Sequence, residues 1–146
     1  MKEMIYKQSR EIEVLDKGEY AGRKYLTLSF GTHPAAYVSI TEEEDKIAAA
    51  TLECDYALDK YDSAVFDGID VHGGFSFYGD RDGCGGDPGT IYIGRDYRHP
   101  GDFNGQDMLD WFISTKADHL IHWTTKEMVH EAKSVIEQLN GLEVFK

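Results

Sequence analysis

The pattern of apolar and polar positions in the first forty residues is mostly that of strands, and residues 11–15 are a short alternating run. Residues 25–30 mix β-branched, aromatic and leucine side chains, and the apolar bias of residues 36–40 predicts a strand near the core. Residues 16–19, Asp-Lys-Gly-Glu, have turn chemistry and predict a turn between the first two strands. Because the connections are short, we expect these strands to form an antiparallel meander.

Two segments have the signals of helix starts. Thr41 and Glu44 have the spacing of a capping box, and an alanine-rich run follows over residues 47–52. Thr124 and Glu127 repeat the box, and apolar residues then recur on one helical face until residues 140–141, Asn-Gly, end the helix. Residues 104–112 predict a further helix between them.

Eleven of the fifteen glycines lie in residues 68–105. Within this part, residues 69–72, 75–78 and 90–93 read as strands, and residues 80–89 read as an exposed loop. The sequence therefore predicts one α+β domain over residues 1–146. It is a mostly antiparallel sheet with two or three helices packed on it, the C-terminal helix last.

The charge balance limits the partners. Twenty-seven acidic residues against fifteen basic ones give a net charge of −12, which opposes direct binding to nucleic acid or to an anionic membrane. Two cysteines, Cys54 and Cys84, are too few for a disulfide framework, and neither belongs to a Cys-x-x-Cys pair. Without a long apolar run or a leader pattern, we expect a cytoplasmic protein with no cofactor.

One polar cluster in the glycine-rich part has the residue types of a chemical site. His72 follows one predicted strand, and Asp96, His99 and Asp102 follow another. Two imidazoles and two carboxylates are suited to a divalent metal or to an acid/base pair. The alternative is structural, since such side chains also fix loops through local hydrogen bonds.

The same segment resembles a group of small acidic proteins from bacteriophages and prophages. Residues 71–77 read Val-His-Gly-Gly-Phe-Ser-Phe, and residues 92–102 read Tyr-Ile-Gly-Arg-Asp-Tyr-Arg-His-Pro-Gly-Asp. The group has a pattern close to V-H-G-G-L-T-F followed by W-I-G-F-D-C-x-H-x-G-D. The matching positions, within residues 69–102, are His72, Gly73, Gly74, Gly94, Asp96, His99, Gly101 and Asp102.

Two positions depart from that pattern. Arg95 stands in place of an aromatic residue, and Tyr97 in place of a cysteine, which disfavours a cysteine nucleophile. Because the group is functionally uncharacterised, the resemblance implies a phage origin, a bacterial host cytoplasm and a site rather than an activity.

Arginines and aromatic residues are interleaved with the glycines in this part of the chain, a combination that binds nucleotides through phosphate contacts and base stacking. The arginines are Arg81, Arg95 and Arg98, among Phe75, Phe77, Tyr78, Tyr92 and Tyr97. The alternative is that the rings form core and the arginines lie outside. The residues expected to bind such a ligand are His72, Gly73, Gly74, Arg95, Asp96, Arg98, His99 and Asp102.

A second candidate surface is acidic. Residues 41–70 contain ten acidic and two basic residues, beginning with Glu42, Glu43, Glu44 and Asp45. Such a face mimics phosphates and fits a basic groove, although a solvated helix face has the same composition.

The leading hypothesis is a phage-encoded counter-defence protein that inhibits host immunity by stoichiometric binding rather than by catalysis. It would sequester a nucleotide signal, or block a nucleic-acid-binding host defence protein through residues 42–45. The alternative is a metal-dependent hydrolase that uses His72, Asp96, His99 and Asp102. The sequence leaves both a monomer and a homo-oligomer open.

Overall fold

A five-stranded antiparallel sheet forms the centre of the molecule. The structure, a computed structural model, describes residues 12–30, 33–50, 64–66, 68–71, 75–96 and 123–146. The strands are β1 (Glu13–Tyr20), β2 (Arg23–Ser29), β3 (Pro34–Ile40), β4 (Phe77–Gly79) and β5 (Ile91–Asp96), in the order β1-β2-β3-β5-β4. The α-helices are α1 (Glu42–Ala50) and α2 (Thr125–Asn140). The predicted α+β fold with a C-terminal helix is thereby confirmed.

The expected meander exists, but its first turn lies further along the chain. The predicted turn at residues 16–19 is wrong, because those residues continue β1 and pair with β2. The chain reverses at Ala21 and Gly22, whose φ angles of 49° and 84° are both positive. Two consecutive positive φ values match the twist of a tight hairpin, whereas an Asp-Lys-Gly-Glu sequence is compatible with either a strand or a turn.

In its described residues, the glycine-rich part contains less strand than its pattern predicts. Residues 69–71 and 75–76 lie outside any strand, and β4 has only three residues. β5 lies between β3 and β4 and is longer than predicted, reaching Asp96. The helix predicted at residues 104–112 lies outside the described residues.

Both capping boxes are present. The Glu44 N–H donates to the Thr41 hydroxyl at 3.1 Å, and the Thr41 N–H donates to the Glu44 carboxylate at 2.8 Å. Thr124 and Glu127 make the same reciprocal pair at the start of α2. Because both partners lie within one helical turn, the sequence alone was sufficient to predict these helix starts.

One face of the sheet packs against α2. Val38, Ile40 and Ile93 of the sheet contact a stripe on α2 made of Ala132, Val135, Ile136 and Leu139, and all seven are buried. Ala48 of α1 and Phe66 join the same cluster. α2 spaces its apolar residues three and four apart, so the stripe faces the sheet along its length.

The other face of the sheet carries a second buried cluster: Leu26, Leu28, Ala35, Tyr37 and Tyr92. These residues are 0–2% exposed, although the described residues place no α-helix on this side. Instead, residues 80–90 lie across it. The predicted exposed loop is therefore partly a covering layer.

Gly94 of β5 is required by the close approach of β3. A Cβ at this position would lie 2.2 Å from the Ala36 carbonyl oxygen and 2.9 Å from the Tyr37 Cα. We expect Gly94→Ala to destabilise the protein by about 1–3 kcal/mol, since two backbones would have to separate. Urea denaturation would measure the change.

Gly68→Ala is the matched control, because nothing lies within 4 Å of a Cβ there and no positive φ is involved. It should be neutral or slightly stabilising, through the reduced entropy of the unfolded chain. Equal losses in the two variants would refute the close-approach explanation of Gly94.

Candidate functional site

The predicted ligand cluster is described only in part. Arg95 and Asp96 end β5, where they pair with Ala36 and Ala35 of β3. His72, Gly73, Gly74, Arg98, His99 and Asp102 lie outside the described residues. The assembly of this cluster into a ligand site or a metal site therefore stays a prediction.

Arg95 is an interior residue, with 1% of its surface exposed. It lines a small cavity between β5 and α2, together with Val71, Phe75 and Glu131. The cavity has a volume of about 10 Å³, room for a single water molecule at most. This cavity is too small for a nucleotide, which needs a pocket of at least a few hundred Å³.

Three of the aromatic rings predicted for a nucleotide pocket, those of Phe75, Phe77 and Tyr92, belong to the core or pack against it. Phe75 contacts Phe66 edge-on, with ring centroids 5.8 Å apart, and Tyr92 is fully buried. Phe77 contacts Tyr37 edge-on at 5.3 Å on the other face of the sheet. For these rings the structure matches the alternative interpretation, in which the aromatics are core.

Arg81, another of the predicted arginines, lies against aromatic rings. Its guanidinium carbon lies 3.6 Å from the centroid of Phe77, 4.6 Å from that of Tyr37 and 5.9 Å from that of Phe30. Cation–π attraction is strong within about 6 Å of a ring. Arg81 therefore fastens the covering loop to the sheet, and it occupies the ring surface on which a base would have stacked.

Asp87 fastens the other end of this loop. Its two carboxylate oxygens lie 2.5 Å from the Lys17 Nζ and 2.8 Å from the Lys24 Nζ, and its N–H donates to the Tyr92 hydroxyl at 3.1 Å. Hydrogen bonds from the two ammonium groups lower the pKa of Asp87 to about 2. No local pattern predicts this contact, because Lys17 and Asp87 are seventy residues apart.

The start of α1 is the best-described part of the predicted sites. Glu42 and Glu43 are exposed, whereas Glu44 is buried, with 7% of its surface exposed. Glu44 receives two hydrogen bonds from the Arg23 guanidinium. An internal ion pair occupies its carboxylate, which leaves Glu42 and Glu43 as the exposed glutamates of the predicted partner-binding surface.

Burial by itself would raise the pKa of Glu44. Hydrogen bonds from Arg23 and Thr41 outweigh it and hold the pKa below its ordinary value. Glu44 is therefore an ionised anchor that fixes α1 against β2. Sequence reasoning missed this role because the partner, Arg23, precedes it by twenty-one residues.

Comparisons with known proteins add no identification: no protein-family model, curated protein or solved structure significantly matches the chain. Among the described residues, no helix is both long and apolar enough to cross a bilayer. Within the same residues, no group of three or more histidine, cysteine, aspartate or glutamate side chains could hold a metal ion. The proposed metal ligands His72, His99 and Asp102 are not among them.

Glu44→Ala should destabilise the protein by about 3–5 kcal/mol, because it leaves the Arg23 guanidinium buried without its counter-ion. Glu43→Ala, one residue earlier and exposed, should change the free energy of unfolding by less than about 0.5 kcal/mol. Chemical denaturation of both variants measures the difference. A small effect at Glu44 would contradict the anchoring role.

Stability should depend on the ionisation of Asp87. The pKa of Asp87 is depressed in the folded protein. Its contribution to the free energy of unfolding is therefore complete above the ordinary carboxyl pKa of 3.8 and is lost as pH falls through about 2. At low salt, Asp87→Asn should lower the melting temperature at pH 7, and the gap from the unmodified protein should narrow between pH 4 and pH 2. Asp82→Asn, an exposed position in the same loop, should show no such gap. A difference at Asp87 that stays constant with pH would argue against the ion pairs.

Proposed function

We propose that this protein is a bacteriophage-encoded counter-defence factor that binds a basic host defence protein stoichiometrically and blocks its nucleic-acid-binding surface. The phage origin comes from the resemblance of residues 69–102. One observation at the start of α1 supports the mode of action. Exposed carboxylates lie there on a helix that a buried ion pair holds in position.

The fixed position matters for affinity. Glu42 and Glu43 are exposed, while the next residue, Glu44, bonds inward to Arg23. Arg23 also donates to the Ser39 carbonyl oxygen at 3.1 Å and to the Asn140 side chain at 2.7 Å. Because the backbone of α1 is already fixed, binding requires no further ordering of the helix, and its exposed carboxylates favour a complementary basic surface.

The local charge adds to this argument. The first turn of α1 carries four acidic residues in succession, and residues 41–70 hold ten of the chain's twenty-seven acids. A basic groove built for phosphates would attract this segment at long range. Acids at positions 53–67 belong to the same stretch of sequence but lie outside the described residues.

The nucleotide-sequestering form of the hypothesis has less support. Its central arginine, Arg95, is buried beside a cavity that holds at most one water. The hydrolase alternative depends on His72, His99 and Asp102, for which no geometry is described. The blocking form is therefore the one that the described residues support best.

The test is a charge reversal that spares the internal ion pair. Glu42→Lys combined with Glu43→Lys should abolish salt-sensitive co-purification with a basic bacterial protein, and abolish competition with nucleic acid for that protein in a reconstituted binding assay. Charges at the edge of an interface act mainly on the association rate, so a reduction of tenfold or more in that rate is expected at low salt.

Glu19→Lys combined with Glu143→Lys is the matched control. Both residues are exposed and lie outside α1, so the net charge changes equally. If the control variant loses the partner as fully as the α1 variant, binding reflects overall charge. If neither variant loses it, the acidic surface is not the binding site.

A further inference from the structure

An open groove separates β1 from the exposed side of α2. Leu15 and Asp16 of β1 line one wall, and Lys126, Val129, His130 and Lys133 of α2 line the other. Its volume is about 490 Å³, within the roughly 300–1,000 Å³ typical of small-molecule sites. The fold creates this groove because β1 lies at one end of the sheet, beside the first half of α2.

The α2 wall is basic, in contrast to the chain as a whole. Lys126, His130 and Lys133 are spaced four and three residues apart, which places them on one side of the helix. In the described part of the chain, ion pairs form at Arg23, Lys17, Lys24 and Lys146. Neither Lys126 nor Lys133 takes part in any of those pairs, so their charges are available to a ligand.

Lys133 is held in place by aromatic rings. Its Nζ lies 5.4 Å from the centroid of Tyr20 and 6.0 Å from that of Tyr25. The Tyr20 hydroxyl in turn donates to the Glu137 carboxylate, one turn further along α2. An ammonium group oriented by rings keeps its charge and gives up less side-chain entropy on binding an anion.

The positive end of the α2 dipole lies at the Lys126 end of the groove. The Glu127 carboxylate caps that helix end and offsets part of this field. Asp16 is the acid that lines the groove, and its Oδ1 already accepts the Lys17 N–H at 2.8 Å. The two carboxylates offset the two ammonium charges overall, so attraction of an anion depends on its lying directly against Lys126 and Lys133 on the α2 wall.

From this arrangement we propose that the groove between β1 and α2 binds a small molecule with a linear di- or triphosphate group, as in a nucleotide. Lys126 and Lys133 are separated by roughly 10 Å along the helix axis, at a rise of about 1.5 Å per residue. Two cations spaced along the helix, on flexible side chains that can converge on one ligand, suit an anion whose charge is distributed along a chain better than a single orthophosphate. Leu15 and Val129 supply the apolar contact that a base or acyl group would use.

This site shares no residue with the acidic surface on α1, so the two proposals can fail independently. It also differs from the predicted cluster around Arg95. If the protein does sequester a nucleotide, this groove is the place that the described residues offer for it.

Calorimetric titration of the full-length protein at low salt tests the proposal, with pyrophosphate, adenosine triphosphate, orthophosphate and adenosine as probes. Pyrophosphate and adenosine triphosphate should bind and raise the melting temperature, while orthophosphate and adenosine should not. Tighter binding of adenosine triphosphate than of pyrophosphate would assign the ligand to nucleotides. Equal binding would assign it to polyphosphate groups in general.

Lys126→Ala combined with Lys133→Ala should weaken binding by a factor of about ten or more, since two charge-assisted contacts are lost. Lys46→Ala combined with Lys146→Ala removes the same charge elsewhere and should leave binding unchanged. Should the first variant fail to fold, Lys126→Gln alone serves, because Lys126 is exposed. The proposal is overturned if no phosphate probe binds, if both double variants lose binding equally, or if an oligoglutamate peptide binds and the phosphates do not.

Discussion

The ion pair between Arg23 and Glu44 is the contact on which the arrangement of the elements depends. Arg23 begins β2, directly after the hairpin turn, and its guanidinium reaches β3, α1 and the last residue of α2. Both charged residues are buried. Removing charges from water is costly, and the contact is favourable only because nearly every donor and acceptor is satisfied. Moving α1 would break the contact between Arg23 and Glu44, so the pair holds α1 in its place.

The two faces of the sheet are protected from water by different means. On one face, an amphipathic helix supplies apolar side chains, so burial alone accounts for the packing. On the other, residues 80–90 supply a cation over aromatic rings at Arg81 and an anion between two lysines at Asp87. Charged contacts of this kind weaken with salt and with acid. The loop side should therefore loosen before the helix side as conditions become less favourable.

The features predicted correctly from the sequence are those determined within a few residues. The capping boxes at Thr41 and Thr124 specify two helix starts, and the spacing of apolar residues in α2 specifies its buried side. The hairpin turn was misplaced because Asp-Lys-Gly-Glu has turn propensity, whereas the true turn depends on positive φ values at Ala21 and Gly22. Turn propensity predicts poorly where hydrogen bonding between strands determines which residues belong to a strand.

The features that the sequence did not predict are contacts between distant residues. The capping-box spacing singles out Glu44, but nothing in the local pattern indicates that its side chain is buried while that of Glu43 is exposed. The same reasoning applies to Arg95, which was expected in a ligand pocket and is interior. A cluster of chemically suitable residues in the sequence therefore identifies candidates, while burial decides which of them can meet a ligand.

Net charge is also a poor guide to what each surface binds. Screening at physiological salt limits electrostatic influence to about 8 Å, so surfaces further apart than this act separately. An overall charge of −12 opposes binding to long polyanions such as DNA, which contact a large area. It would have little effect on a small phosphate ligand that lies directly against Lys126 and Lys133 of the proposed groove. One acidic protein could therefore present an acidic surface to a basic partner and a pair of lysines to a small anion.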